Sequence, residues 1–457
     1  MLETKRKSSS SLLDQSALTD LAEQLVAAAR RAGADAADAL GVRSVSLSVE
    51  VREGATEESE RSEGDDLGLR VFVGRRQAVV STNDVRADVG ALAERAVAMA
   101  RVAPEDPFAG LAEQARLAKQ IPDLDLLDPD LPAVAVLEER ARRAESAGLA
   151  VKGVAKSGGA SASAGIGGMV LVTSDGFRGA YLNSGHSVSM TAIAGQGTAM
   201  ERDYDYSSAP HGADLDPAEK VGRTAGERAV ARLNPRKVET GRVPVVFDRR
   251  VAGSLISHLA SAINGAAVAR KTSFLKDKLG QRLFKPGIRV LDDPLRRRGL
   301  RSRPFDAEGV ATAPLAAVED GMLKSWFLDS ATARELSLAT TGHAQRGVSS
   351  TPSPGASNLH LAAGADAPEA LIADIAEGFY VTDLIGMGVN PVTGDYSRGA
   401  SGFWIENGKR GYPVSEVTIA GNLIDMFRGL SPANDLEFRF GTNAPTVRVE
   451  GLTVAGR

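Results

Sequence analysis

Apolar and polar positions follow two rhythms along this chain. Leu18, Leu21, Leu25, Ala28 and Ala32 recur every three or four residues. That spacing predicts an amphipathic helix, capped by Ser16 and stopped by Gly33. Val45, Leu47, Val49 and Val51 instead alternate strictly with polar neighbours, as a half-buried strand requires. Leu67, Leu69, Val71 and Val73 repeat the alternation before a turn near Gly74. Val85, Val89, Leu92, Ala96 and Met99 then return to a helical stripe. Residues 16–102 therefore read as a unit of antiparallel strands flanked by helices.

Residues 103–132 are rich in Pro and Asp and read as a linker or long ordered loop. Residues 133–235 bring a helix over 133–146, several strands rich in Gly, Ser and Ala, and a further helix. That last helix opens on Asp216, Pro217 and Glu219, which supply a cap, an N1 proline and an N3 glutamate, and it ends near Leu233. Residues 236–457 begin with the short strand "RVPVVFD" and a helix over 248–268, then turn mostly β. Asp-Gly in "VEDGMLKSWFL" and Asn-Gly in "FWIENGKRGYPV" mark hairpins. The fold class is α+β: an N-terminal region over 16–235, a β-rich C-terminal domain over 236–457, and a disordered tail over 1–15.

At 457 residues the chain has room for two or three cores at roughly 150 residues per domain. Its 54 Lys and Arg against 58 Asp and Glu leave a net charge of −4, with no basic field to attract nucleic acid. No apolar run is long enough to span a bilayer, and no unbroken apolar stretch follows the basic N-terminus, so a cytoplasmic location is expected. There is no cysteine, which excludes disulfides, thiolate nucleophiles and thiolate-ligated metals.

Candidate chemistry is sparse. "GGASASAGIGG" lacks the Lys-Ser/Thr of a phosphate loop and reads better as strand and turn. Ser273 and Lys276 share the spacing of serine acyl-enzymes with a lysine base, without the motifs that accompany it. Asp292 and Asp293 precede Pro294 and read more readily as a strand end and turn than as a metal or proton-sharing pair. His186, His211 and His343 fall in loop-like contexts and His360 on a short strand; surface or supporting roles are expected for all four. His258 lies in "SLISHLASAING", on a helix with no second histidine one or two turns away, and reads as an ordinary helix residue.

Three long segments, "VAGSLISHLASAINGAAVARKTSFLKDKLG", "FDAEGVATAPLAAVEDGMLKSWFLDSATAREL" and "NPVTGDYSRGASGFWIENGKRGYPVSEVTIAGN", resemble in order the TldD/PmbA family of bacterial metalloproteases. The resemblance is to the PmbA branch, also called TldE. TldD-type subunits of that family carry His-Glu-x-x-x-His on the corresponding helix and a distant cysteine as a further zinc ligand. In the register set by "ARKTSFLKDKLG" the two histidines fall on Ile256 and Ser261 and the glutamate on Ser257.

An aliphatic side chain and a hydroxyl cannot replace two imidazoles, nor can a serine do the glutamate's proton transfer. The resemblance thus implies a subunit with no catalytic residue and no metal of its own. It also implies a TldD-type partner that holds the zinc, and unfolded peptides and modified peptide precursors as substrates. In isolation the chain could form a homo-oligomer. Asp395, Tyr396, Ser397 and Arg398, beside a strand, are the candidate peptide or interface surface, with a stable turn as the plain reading. An independent peptidase with an unrecognised site and a non-enzymatic peptide-binding scaffold are the alternatives.

Overall fold

The computed structural model describes residues 13–456, so most of the tail expected over 1–15 lies outside the described residues. The N-terminal region is built on one antiparallel sheet of six strands, in the order β3-β2-β1-β4-β5-β6. These are β1 (Ala36–Arg52), β2 (Ala55–Val73), β3 (Arg76–Thr82), β4 (Val154–Thr173), β5 (Arg178–Ala194) and β6 (Glu201–Ala209). Four helices cover one face: α1 (Ser16–Arg31), α2 (Val89–Val102), α3 (Val134–Leu149) and α4 (Ala218–Ala231).

The alternation in β1 explains this arrangement. Ala37 and Ala39 are buried under α1 and α2, while Leu47, Val49 and Val51 are buried under α3. The intervening Ser44 and Ser46 point away and are exposed. Small residues also let the covering helices approach one another closely. A Cβ added at Gly222 of α4 would lie 1.8 Å from the Ala144 carbonyl of α3, so only glycine permits this helix crossing.

Several local expectations need correction. Ser16 is the first helical residue, and Gln15 occupies the cap position without a side-chain bond; the Asp14 carboxylate accepts from the Ser16 N–H at 2.9 Å. Val85 precedes α2 and Met99 is exposed; the buried stripe is Ala93, Ala96, Val97 and Ala100, and Asp88 caps the helix. A run of alanines hid that face, because small apolar residues pack as well as large ones where helix and sheet lie close. Asp216 does not cap α4, since Pro217 holds that position and Asp216 pairs with Lys220 at 2.7 Å. Residues 103–132 form an ordered loop with Leu124 and Leu126 buried. It is tied down by backbone bonds from Ala118 to Gly309 and from Ser184 to Leu126.

The C-terminal region pairs two sheets around the largest core. One runs β16-β15-β14-β7-β19-β17, from β7 (Gly241–Phe247), β14 (Glu377–Ile385), β15 (Asp395–Glu406), β16 (Lys409–Asn422), β17 (Ser431–Pro432) and β19 (Val447–Ala455). The other runs β10-β9-β8-β13-β18, from β8 (Val290–Asp292), β9 (Leu315–Glu319), β10 (Met322–Leu323), β13 (Leu359–Leu361) and β18 (Thr442–Asn443). A two-residue pair joins β11 (Ala344–Gln345) to β12 (Ser353–Pro354). Both expected hairpins form: Asp320 and Gly321 link β9 to β10, and Asn407 and Gly408 link β15 to β16. All four turn residues have positive φ, the conformation that Asp-Gly and Asn-Gly tolerate best.

Helix α5 (Arg249–Ala262) packs against both sheets, and α6 (Gly265–Ala269), α7 (Ser330–Glu335), α8 (Pro368–Ile372) and α9 (Leu423–Gly429) are short. The single helix expected over 248–268 is two, because the Asn264 side chain interrupts it by capping α6 through the Ala266 N–H at 2.9 Å. Buried charges join the two regions. Arg250 of α5 donates to Asp203 of β6 at 2.8 Å, and Arg346 donates to Asp38 of β1 at 2.6 Å.

Candidate functional site

Helix α5 is the element on which a metal site would stand. β7 delivers the chain into it, and Asp248 caps it by accepting from the Arg250 N–H at 3.0 Å while its other oxygen takes the Tyr380 hydroxyl at 2.9 Å. Ala252, Leu255, Ile256, Leu259 and Ala262 form the buried face. Burying the Ile256 side chain alone is worth about 1.5–3 kcal/mol.

The three expected ligand positions offer nothing to a metal ion. Ile256 is fully buried in the apolar core. Ser257 and Ser261 are exposed, and each hydroxyl donates back along the helix, Ser257 to the Gly253 carbonyl at 3.1 Å and Ser261 to the Ser257 carbonyl at 3.0 Å. Among the described residues, no three His, Cys, Asp or Glu side chains come together in a way that could hold a metal ion. The donor set therefore does not fit zinc.

His258 sits at the edge of the buried face, half-buried, with its ring 6.0 Å from that of Tyr396 in a T-shaped contact. Its Nε2 is buried without a hydrogen-bond partner. Burial, and then the nearby Arg398 guanidinium, pushes its pKa down to about 4. Of the four residues expected as a surface, Asp395 and Ser397 are exposed and Arg398 is half-buried, but Tyr396 is only 1% exposed and belongs to the core. Strand alternation explains this, since Tyr396 and Arg398 face α5 whereas Asp395 and Ser397 face away. The turn before β15 is self-contained: Asp395 accepts from Thr393 Oγ1 at 2.6 Å and from Asn422 Nδ2 at 3.2 Å, bonds that hold its carboxyl below the usual range.

The other candidates resolve into structure. Ser273 is 1% exposed and its hydroxyl donates to the Ala262 carbonyl at 2.5 Å, tying down the segment after α6, and no bond joins it to the Lys276 amine. Asp292 is fully buried and takes three donors: Ser357 N–H at 2.8 Å, Ser357 Oγ at 2.5 Å and His343 Nε2 at 3.1 Å. Asp293 caps the following turn through Leu295 N–H at 3.1 Å. The Ser-Asp-His group has the residue types of a hydrolytic triad but the wrong order, because the serine bonds to the aspartate and not to the imidazole.

His343, expected in a surface or supporting role, is 1% exposed in this network. His186, expected in a loop, lies on β5 and is 5% exposed, with Nε2 3.3 Å from Asp128. His211 meets the Asp125 carbonyl at 2.9 Å, and His360 lies on β13 against Phe438. Sequence reading could not foresee the Asp292 network, whose members lie 51 and 65 residues away.

Comparison with known proteins decides the family. The chain matches models of the PmbA/TldA metallopeptidase domain 1 over residues 37–100, central domain over 127–233 and C-terminal domain over 240–456. It is 37% identical over 426 residues to the metalloprotease PmbA of Escherichia coli O157:H7, covering 93% of each chain. This protein belongs to the PmbA/TldD metallopeptidase family.

Solved structures agree with the PmbA/TldD assignment. A Bacteroides thetaiotaomicron protein proposed to be a modulator of DNA gyrase matches with a TM-score of 0.88 at 28% identity, over 96% of this chain and 98% of that one. TldE from Thermococcus kodakarensis shares the fold at 20% identity, with a TM-score of 0.84 over 95% and 100% of the two chains. Among the described residues, no helix is long and apolar enough to cross a membrane.

Proposed function

We propose that this chain is the PmbA/TldE-type subunit of a two-component cytoplasmic metallopeptidase, in which a TldD-type partner supplies the zinc and the proton-transferring glutamate. One observation carries the reading: the family's metal-site positions hold a core isoleucine and two serines whose hydroxyls are bonded to their own helix. A metallopeptidase fold without metal-binding side chains contributes by shaping and gating the assembly, and by binding substrate. Unfolded peptides and modified peptide precursors are the substrates this reading assigns to the complex.

Affinity purification of the tagged chain from its native cell tests the pairing. A TldD-type subunit should co-elute in stoichiometric amount, and its consistent absence under mild ionic strength would favour a scaffold that captures peptide alone.

A further inference from the structure

Three side chains meet where α5 crosses β15, and each carries a buried polar atom without a hydrogen-bond partner: His258 Nε2, Tyr396 Oη and Arg398 Nε. The guanidinium lies beside both of the others, close enough to depress the imidazole pKa and to oppose the rise of the phenol's, yet it completes no bond of normal geometry with either. Arg398 also pairs with no carboxylate among the described residues. Buried polar atoms are nearly always bonded, and a half-buried guanidinium without a counter-charge is costly to hold. Asp38 matches the inward-facing Arg70 and Arg346, and Asp203 matches Arg250. Arg398 has no such carboxylate and lies beside two further unpartnered polar atoms, which points to an anion supplied from outside.

We propose that Arg398, Tyr396 and His258 form a binding site for one peptide carboxylate. The charge argues for a monoanion, since one guanidinium faces the site with two neutral groups. The geometry argues for a planar one, because a guanidinium presents paired N–H donors that match a carboxylate. At neutral pH the Tyr396 hydroxyl is protonated and His258 is neutral, so Oη–H donates and Nε2–H donates in one tautomer. A metal cation is disfavoured by the guanidinium and by the lone imidazole. Both Arg398 and His258 remain partly open to solvent. The inference rests on the reading that this chain meets peptide within a peptidase.

Fluorescence anisotropy on the full chain alone, with no partner and no zinc, keeps this test separate from the test of pairing. The probes are one unstructured peptide with a free C-terminal carboxylate, the same peptide amidated, and the amidated peptide bearing one internal glutamate. The free acid should bind at least about tenfold more tightly than the neutral amide, a difference of 1.4 kcal/mol. Tight binding of the glutamate peptide as well would place side-chain carboxylates in the same site; weak binding would restrict it to chain ends. Arg398→Gln should abolish the preference, Arg398→Lys should weaken it by removing the fork, and Tyr396→Phe should reduce it several-fold. Equal affinity for acid and amide in the unmodified chain overturns the proposal whatever the variants do, as does a preference that persists in folded Arg398→Gln.

Discussion

The Ser261 hydroxyl donates to the Ser257 carbonyl at 3.0 Å, so two of the three positions expected to carry metal chemistry are bonded to each other through their own helix. The third, Ile256, is fully buried on the apolar face of that helix. A metal centre would need new ligands, a new helix face and a further ligand that a chain without cysteine must supply from elsewhere.

Installing the motif should therefore fail. The triple variant Ile256→His, Ser257→Glu and Ser261→His is expected to bind no stoichiometric zinc by elemental analysis. It should lose about 2–5 kcal/mol of stability, because an imidazole replaces an isoleucine inside a packed core. A folded variant holding one tightly bound zinc per chain would show that only the side chains, and not their setting, had been lost.

Arg250 and Asp203 join the C-terminal region to the first sheet, with side chains 12% and 2% exposed. Burial opposes the charge on each, but their mutual bond outweighs it, so the Arg250 pKa is raised and that of Asp203 is lowered. Arg250→Ala should cost about 3–5 kcal/mol by urea denaturation, since it strips a buried carboxylate of its main partner. A depressed carboxylate contributes stability that is present above its unfolded pKa near 3.9 and is lost as pH falls through the lower folded value. The variant should show a shallower acid limb below about pH 4, and an unchanged limb would remove Asp203 from the linkage.

Asp306 titrates in the opposite sense. Burial, reinforced by the adjacent Glu308 carboxyl, pushes its pKa up to about 7. A raised carboxylate stabilises the fold fully below its unfolded pKa near 3.9, and that contribution is lost as pH rises through 7. Urea midpoints should therefore rise between pH 8 and pH 6, with a smaller rise in Asp306→Asn. Identical slopes in the two proteins would count against this assignment.

Much of this architecture is legible in the chain, and the reasons for the exceptions are physical. Strict alternation at Val45, Leu47, Val49 and Val51 and the Asn407-Gly408 turn report local geometry, which sequence spacing encodes directly. Simple patterns mislead at the cap of α4, where a proline and an alternative partner for Asp216 compete with them, and on α2, whose buried face is a run of alanines. The burial of Tyr396, the isolation of Arg398 and the Asp292–His343–Ser357 network depend on strands brought together from distant parts of the chain, and no spacing rule carries that information.

The serines tempting as nucleophiles should prove structural. Ser357→Ala and Ser273→Ala each remove a donor from a buried acceptor and should cost about 1–3 kcal/mol in denaturant midpoint measurements. Peptide cleavage by the assembled complex, measured below the unfolding transition, should be unchanged in both. A hundred-fold fall in kcat with either variant would revive an independent serine mechanism in this chain.

Zinc content and peptide hydrolysis, measured together on the purified chain before and after adding a TldD-type subunit, test whether the metal and its chemistry belong to the partner. No stoichiometric zinc and no cleavage are expected for the chain alone, with chelator-sensitive cleavage appearing once the partner is added. One tightly held zinc and chelator-sensitive hydrolysis in the isolated chain would contradict that expectation.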